Sequence, residues 1–205
     1  MKITGLKSQI NAQEKLSVFI DNKYAFSLSQ TEVLKLKLKT GQELSATEAK
    51  NLKQLAEQDK LYTRTLKLVA RRSKSEWEVK NYLVRKGASP SLISTILNKL
   101  TDLNLINDLV FAENYVNYLQ SQSPASRRKI LAKLKQKHIS DEVINLAMAN
   151  NEINEIDALS RIVSNKIKQT KYKDSNKLMA YLSRQGFSYS LIKQALENYK
   201  QSLND

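Results

Sequence analysis

The sequence predicts a mainly α protein: tandem three-helix repeats forming an elongated, curved array, with a small β-hairpin and helix region at the N-terminus. Three observations carry this. Four Gly and two Pro among 205 residues leave few breaks for strands and turns. The stretch YLSRQGFSYSLIKQALE from Tyr181 reads as helix, turn and helix, and YLVRKGASPSLISTIL from Tyr82 and KLKQKHISDEVINLAM from Lys133 repeat it. Superposing the three aligns Leu83, Leu134 and Leu182, then Ser89, Ser140 and Ser188, at spacings of 51 and 48 residues. Diverged copies at a period near fifty mark a tandem array. One such unit buries too little surface to be secure alone, whereas stacked units share faces and present a long concave surface.

Residues 1–60 stand apart. Leu16, Val18 and Ile20 alternate with outward positions, Asp21-Asn22-Lys23 turns the chain, and Tyr24, Phe26 and Leu28 resume the alternation. That pattern predicts a β-hairpin, with Lys2–Ser8 as a candidate third strand. Ser29 and Glu32 form a capping box for a short helix that Thr40-Gly41 should end. Ser45 and Glu48 repeat the box and open a longer helix, which either continues into Tyr62–Arg72 or bends at Asp59-Lys60.

Repeat one spans 61–107. Its opening helix buries Leu66, Val69 and Ala70 and ends in Arg71-Arg72. Ser75 and Glu78 cap a second helix with Val79, Tyr82 and Leu83 inward, and Gly87 stops it. Ser89-Pro90 starts the third, buried through Ile93, Ile96, Leu97 and Leu100. Repeat two, 108–152, opens with Phe111, Tyr115 and Leu119, breaks at Ser123-Pro124 and restarts with Ile130 and Leu134 inward. There Lys129, Lys133 and Lys137 form a stripe at i, i+4 and i+8. Repeat three, 153–205, places Ile156, Leu159, Val163 and Ile167 on its first helix, then a basic linker, Lys168–Lys173. Gly186 supplies the left-handed residue after Arg184-Gln185, Ser188 caps the last helix, and Leu191, Ile192, Ala195 and Leu196 make its buried face.

The formal net charge is +14. Such an excess implies a polyanionic or strongly acidic partner. It is unevenly spread: residues 61–107 carry nine basic and three acidic side chains, and residues 153–205 nine and five, whereas residues 108–152 carry six and five. The candidate contacts are Arg71, Arg72, Arg85, Lys86, Arg127, Arg128, Lys129, Lys133, Lys137, Lys166, Lys168, Lys171, Lys173 and Arg184. A solvated helix face explains any one of them; the set together favours binding. Absent cysteine excludes disulfides and thiolate metal sites and fits a reducing cytosol. No signal peptide or membrane-length apolar run is evident, so a cytoplasmic protein is expected. Catalysis, a metal site and a cofactor are not expected. There is no GxxxxGK[ST] loop, and the one histidine, His138, reads as a helix C-cap substitute. Trp77 reads as packing, and Tyr189 as either core or partner contact.

Arg71-Arg72-Ser73, the SEWEVKNYLVRKG run, LINDLVFAENYV and above all SRQGFSYSLIKQAL resemble the RecX family of bacterial recombination regulators. The similarity spans roughly residues 61–200, with a weaker likeness of the N-terminal hairpin to a region found in some members from Gram-positive bacteria. His138 departs from the family pattern, which commonly has glycine there. The resemblance implies a monomeric, non-enzymatic regulator of homologous recombination and DNA repair that binds the RecA nucleoprotein filament. It would modulate the filament's ATPase, strand-exchange and coprotease activities, in the setting of the SOS response. It also implies direct contact with single- or double-stranded DNA in some members. The residues alone leave two other readings: a helix-turn-helix-like protein acting on duplex DNA, and a helical scaffold for an acidic protein. Third helices short of long base-reading side chains count against the former.

Overall fold

The structure is a computed structural model and describes residues 1–9 and 12–201, without the side chains of 12 and 13. Strands β1 (Ile3–Gln9), β2 (Ala12–Ile20) and β3 (Lys23–Ser29) form an antiparallel sheet in sequence order. The second hairpin turns on Asp21-Asn22 alone, both at positive φ (47° and 65°), which matches the twist of the flanking strands. Lys23 therefore begins β3 and pairs with Ile20. One sheet face buries Ile3, Val18, Phe26 and Leu28 against Val33, Leu38, Leu44, Leu52 and Ala56.

Helix α1 (Gln30–Lys35) is shorter than the sequence suggests. It stops through Lys37 at φ 51°, well before Thr40-Gly41. Its cap also differs. The Ser29 hydroxyl oxygen accepts from the Glu32 N–H at 3.3 Å, but the reciprocal bond goes elsewhere. The Ser29 N–H donates to Asp59 Oδ2 at 2.7 Å, and its hydroxyl to Asp59 Oδ1 at 2.8 Å. A carboxylate thirty residues away thus does what Glu32 was expected to do.

Helix α2 (Ala46–Arg71) runs for 26 residues without a break, opened by the Ser45–Glu48 capping box. Asp59 is buried in mid-helix because both its oxygens are bonded to Ser29. Ala70, expected inside, is exposed. Thr65 is buried beside Val69 instead, its hydroxyl satisfied by the Leu61 carbonyl at 2.8 Å.

Then follow α3 (Glu76–Arg85), α4 (Pro90–Asp102), α5 (Asp108–Ser121), α6 (Arg127–Gln136), α7 (Asp141–Asn150) and α8 (Glu155–Lys166). A 3-10 turn at Thr170–Tyr172 precedes α9 (Ser175–Arg184) and α10 (Tyr189–Gln201). The repeat is visible in matching detail. Leu83, Leu134 and Leu182 have no exposed surface. Ser89, Ser140 and Ser188 accept from the N–H groups of Leu92, Val143 and Leu191 at 3.3, 3.3 and 3.4 Å. The residue after each second helix is left-handed: Gly87 at φ 76°, His138 at 56° and Gly186 at 94°. His138 does stand in for glycine. Ile93, Ile96, Leu97 and Leu100, expected on the buried face of α4, are all buried.

The described chain divides into two compact units, one within residues 1–73 with 79–105 and one within residues 74–78 with 106–201. The boundary lies inside α3, whose first turn belongs with the helices that follow. Because Asp59 is the partner of Ser29, Asp59→Ala should lower stability by about 1–3 kcal/mol, since it leaves two half-buried donors unpaired. Glu32→Ala should cost less than about 0.5 kcal/mol. Urea denaturation of both variants checks this.

Candidate functional site

The fourteen basic candidates fall into three groups. Among the described residues, Arg71, Arg72, Arg85, Arg127, Arg128, Lys133, Lys168, Lys173 and Arg184 make no side-chain hydrogen bond, ion pair or ring contact. All but Lys133 are exposed. Lys86, Lys166 and Lys171 lie over tyrosine rings: Lys86 over Tyr82 at 5.7 Å, Lys171 over Tyr172 at 5.8 Å, and half-buried Lys166 over Tyr172 and Tyr181 at 5.6 and 5.1 Å. Such contacts hold an ammonium near the surface without neutralising it.

Lys129 and Lys137 are different. The stripe they form with Lys133 looks like a solvated face, but all three are half-buried. Lys137 Nζ donates to Glu78 Oε1 at 2.8 Å, and Lys129 Nζ donates to Gln185 Oε1. These two bonds belong to a pair of matching helix-end joints.

In the first joint, the first turn of α3 meets the end of α6 and the start of α5. The Ser75 hydroxyl donates to the Lys137 carbonyl at 3.1 Å, and the Glu76 N–H to Asp108 Oδ1 at 2.8 Å. In the second, the first turn of α6 meets the end of α9 and the start of α8. The Ser126 hydroxyl donates to the Gln185 carbonyl at 2.7 Å, and the Arg127 N–H to Glu155 Oε1 at 3.0 Å. Position by position the bonds correspond. The N-cap hydroxyl reaches the last carbonyl, the next N–H reaches a carboxylate opening another helix, and the third side chain pairs with the C-cap side chain. The first two bonds of each joint satisfy backbone groups that a helix end leaves without a partner, and the third ties side chain to side chain.

The joints differ in chemistry. The first is ionic: Glu78 also meets Lys74 at 3.7 Å. Its aromatic part is Trp77 stacked on His138, with ring centroids 4.0 Å apart. Trp77, expected to pack beside the core face, is 36% exposed and stacks on His138 at the surface. In the second, Lys129 meets the neutral amide oxygen of Gln185, and Gly186 allows close approach: a Cβ there would lie 2.7 Å from Ser126 Oγ and 3.3 Å from Arg128 Cβ. Burial pushes the Glu78 carboxyl up, but the Lys137 hydrogen bond and charge, with Lys74 and the Ser75 N–H, outweigh it and hold it below its ordinary value. Asp108 is pushed up by burial against the bond from Glu76. Lys129 is pushed down by burial and by the Lys133 charge.

Sequence patterning missed the joints, although a signal was present: Ser75 and Ser126 are 51 residues apart, the period of the repeat. Of the aromatic candidates, Tyr189 is 66% exposed and Phe187 beside it is buried. Among the described residues, no helix is long and apolar enough to cross a membrane.

Helix-turn-helix units recurring with matched caps and carrying unpaired surface cations define a basic, tandem three-helix repeat protein. The chain belongs to the RecX family. Four family models match: "Regulatory protein RecX N-terminal domain" over residues 1–45, and the first, second and third three-helix domains of RecX over 62–100, 107–148 and 157–196. Regulatory protein RecX of Bacillus licheniformis is 28% identical over 200 residues, covering 95% of this chain and 76% of that protein. The protein of the same name from Bacillus subtilis (strain 168) is 26% identical over the same shares. A crystal structure of a regulatory protein RecX superposes with a TM-score of 0.70 at 21% identity, covering 96% of this chain and 98% of that one. RecX from Lactobacillus salivarius gives 0.59 at 25% identity, over 70% and 97%.

Two measurements check the joints. At neutral pH Glu78→Gln should lower stability by about 1–2 kcal/mol. Because the folded-state carboxyl titrates below its unfolded value, that contribution is full above the ordinary value of 4.5 and is lost as pH falls through the folded one. The gap between wild type and variant, read from urea midpoints, should therefore close in acid. Separately, Gly87→Ala and Gly186→Ala both strain a left-handed residue by about 1 kcal/mol. Only Gly186→Ala also collides with the joint, since a Cβ at Gly87 meets nothing within 4 Å. Its midpoint should fall further.

Proposed function

We propose that this protein regulates homologous recombination by binding the RecA nucleoprotein filament and modulating its ATPase, strand-exchange and coprotease activities. Membership of the RecX family supports the regulatory role for RecA. The observation that carries the residue assignment is the set of exposed cations with no ion pair. Arg71, Arg72, Arg85, Arg127, Arg128, Lys168, Lys173 and Arg184 are free to meet acidic protomer surfaces or phosphates, and Lys86, Lys166 and Lys171 lie over tyrosine rings with no ion pair. Lys129 and Lys137 drop out of the contact set, because releasing them would break the joints. Six of those eight exposed candidates are arginines, whose planar fork suits carboxylate and phosphate alike. The protein acts as a monomer in the cytoplasm and needs no cofactor.

Reading of duplex DNA by the third helices has less support. Lys99 of α4 lies over Tyr62, and Lys193 of α10 is within 4.0 Å of Glu197.

The deciding assay is RecA ATPase on single-stranded DNA with the protein titrated in at two salt concentrations. Inhibition well below one molecule per protomer is expected. Inhibition that appears only at saturation of the DNA and vanishes steeply with salt would reduce the effect to competition for phosphates. The double variant Arg71→Glu/Arg72→Glu should raise the half-maximal concentration about tenfold, since two exposed pairs are lost and reversed. Its urea midpoint should fall only slightly, because a carboxylate in the last turn of α2 opposes the helix dipole by less than about 1 kcal/mol.

A further inference from the structure

The two joints share a set of receiving groups, and the chain carries that set a third time. In each joint the receiving groups are a C-cap carbonyl and a carboxylate on the preceding helix, which accept, and a C-cap side chain followed by a left-handed residue; that side chain donates in the first joint (Lys137) and accepts in the second (Gln185). Lys137, His138 and Asp108 supply them in one joint, and Gln185, Gly186 and Glu155 in the other. Asp108 stands 26 residues before Leu134, and Glu155 stands 27 before Leu182. Counting 26 back from Leu83 arrives at Glu57, and three forward from Leu83 at Lys86, followed by left-handed Gly87.

These residues do come together. Glu57, Lys86, Gly87 and Ser89 line one cleft of about 220 Å³ between α2 and the α3–α4 turn, with Lys60 and Arg64 at its side. Lys86 and Gly87 are exposed, and the Glu57 carboxylate is 67% exposed and, among the described residues, paired with Lys60 alone at 3.5 Å. The contrast with the third repeat is direct. A Cβ on Gly186 would strike the serine seated there, whereas one on Gly87 meets nothing within 4 Å.

We propose that this cleft is a docking site for a partner protein's helix, entered by its first turn, and that the helix begins with Ser or Thr at the N-cap and Glu or Asp three residues on. The chemistry is set by what the other two sites hold. The N-cap must donate to the Lys86 carbonyl, which a hydroxyl does and a carboxylate cannot. The next N–H meets Glu57. The third side chain meets Lys86 beside Arg64 and Lys60, so it is acidic, as Glu78 is against Lys137 and Lys74. The chain's own α9 does not fit from a second copy. Its N-cap is Asp174, and the side chain three residues on is Lys177, which would face Lys86. The proposal stands independently of the filament reading, so the ATPase titration leaves it untouched.

The test is a titration of the isotope-labelled full chain with a side-chain-stapled helical peptide beginning Ser-x-x-Glu, read by amide shifts. Saturable shifts at Glu57, Lys86, Gly87 and Ser89 are expected. Affinity should fall about three- to tenfold when the peptide's serine becomes alanine, the range for one neutral hydrogen bond. Lys86→Glu should weaken the Glu peptide and restore binding to a Ser-x-x-Lys peptide. Equal affinity for all peptides, shifts confined to Lys137 and His138, or no shifts would each overturn the proposal. Shifts at the cleft on concentrating the chain alone would assign it to a second copy entering through exposed Ser45–Glu48, and would also overturn it.

Discussion

One buried hydroxyl at each joint holds the repeat region in register. Ser126 Oγ accepts from the Lys129 N–H at 3.1 Å and donates to the Gln185 carbonyl at 2.7 Å. A single oxygen thereby caps the start of α6 and the end of α9. Ser75 does the same for α3 and α6, and neither serine has any exposed surface. Few side chains can serve here. Aspartate caps well but cannot donate, and alanine does neither. The apolar cores, Phe111 to Met148 in one cluster and Ala158 to Ala195 in another, supply the bulk of the burial. The serines fix which helix end faces which.

The N-terminal region uses the same device with the roles redistributed. Ser29 caps α1, yet its remaining donors go to Asp59 in the middle of α2. A carboxylate is tolerated inside a long helix because two donors meet it, one of them a backbone N–H. The pair fastens α1 and the end of β3 to α2. Across the protein, helix starts are the points at which distant segments are tied.

Features governed by neighbours in sequence were legible in advance. The period of fifty, the capping serines, the left-handed residues at 87, 138 and 186, and the buried leucines all follow from local patterns. His138 could be placed at a helix end because it falls where the other copies have glycine. Features that depend on distant partners were not legible. The Lys129–Lys137 stripe has the spacing of a solvated face, and only Glu78 and Gln185 show that two of its members face other helices. Ser29 with Glu32 satisfies the local capping rule, but a stronger acceptor arrives from residue 59. The exposed arginines were identifiable as candidates by type, while their freedom from ion pairs is a property of the folded chain.

Helix α6 gives a hydroxyl at one end and receives one at the other. Its unit therefore has a direction, like a link with a hook and an eye. A duplication that copied one full period would bring both fittings with it. The chain could lengthen by a repeat without inventing new contacts, and an inserted unit running in the opposite sense would find no place to attach.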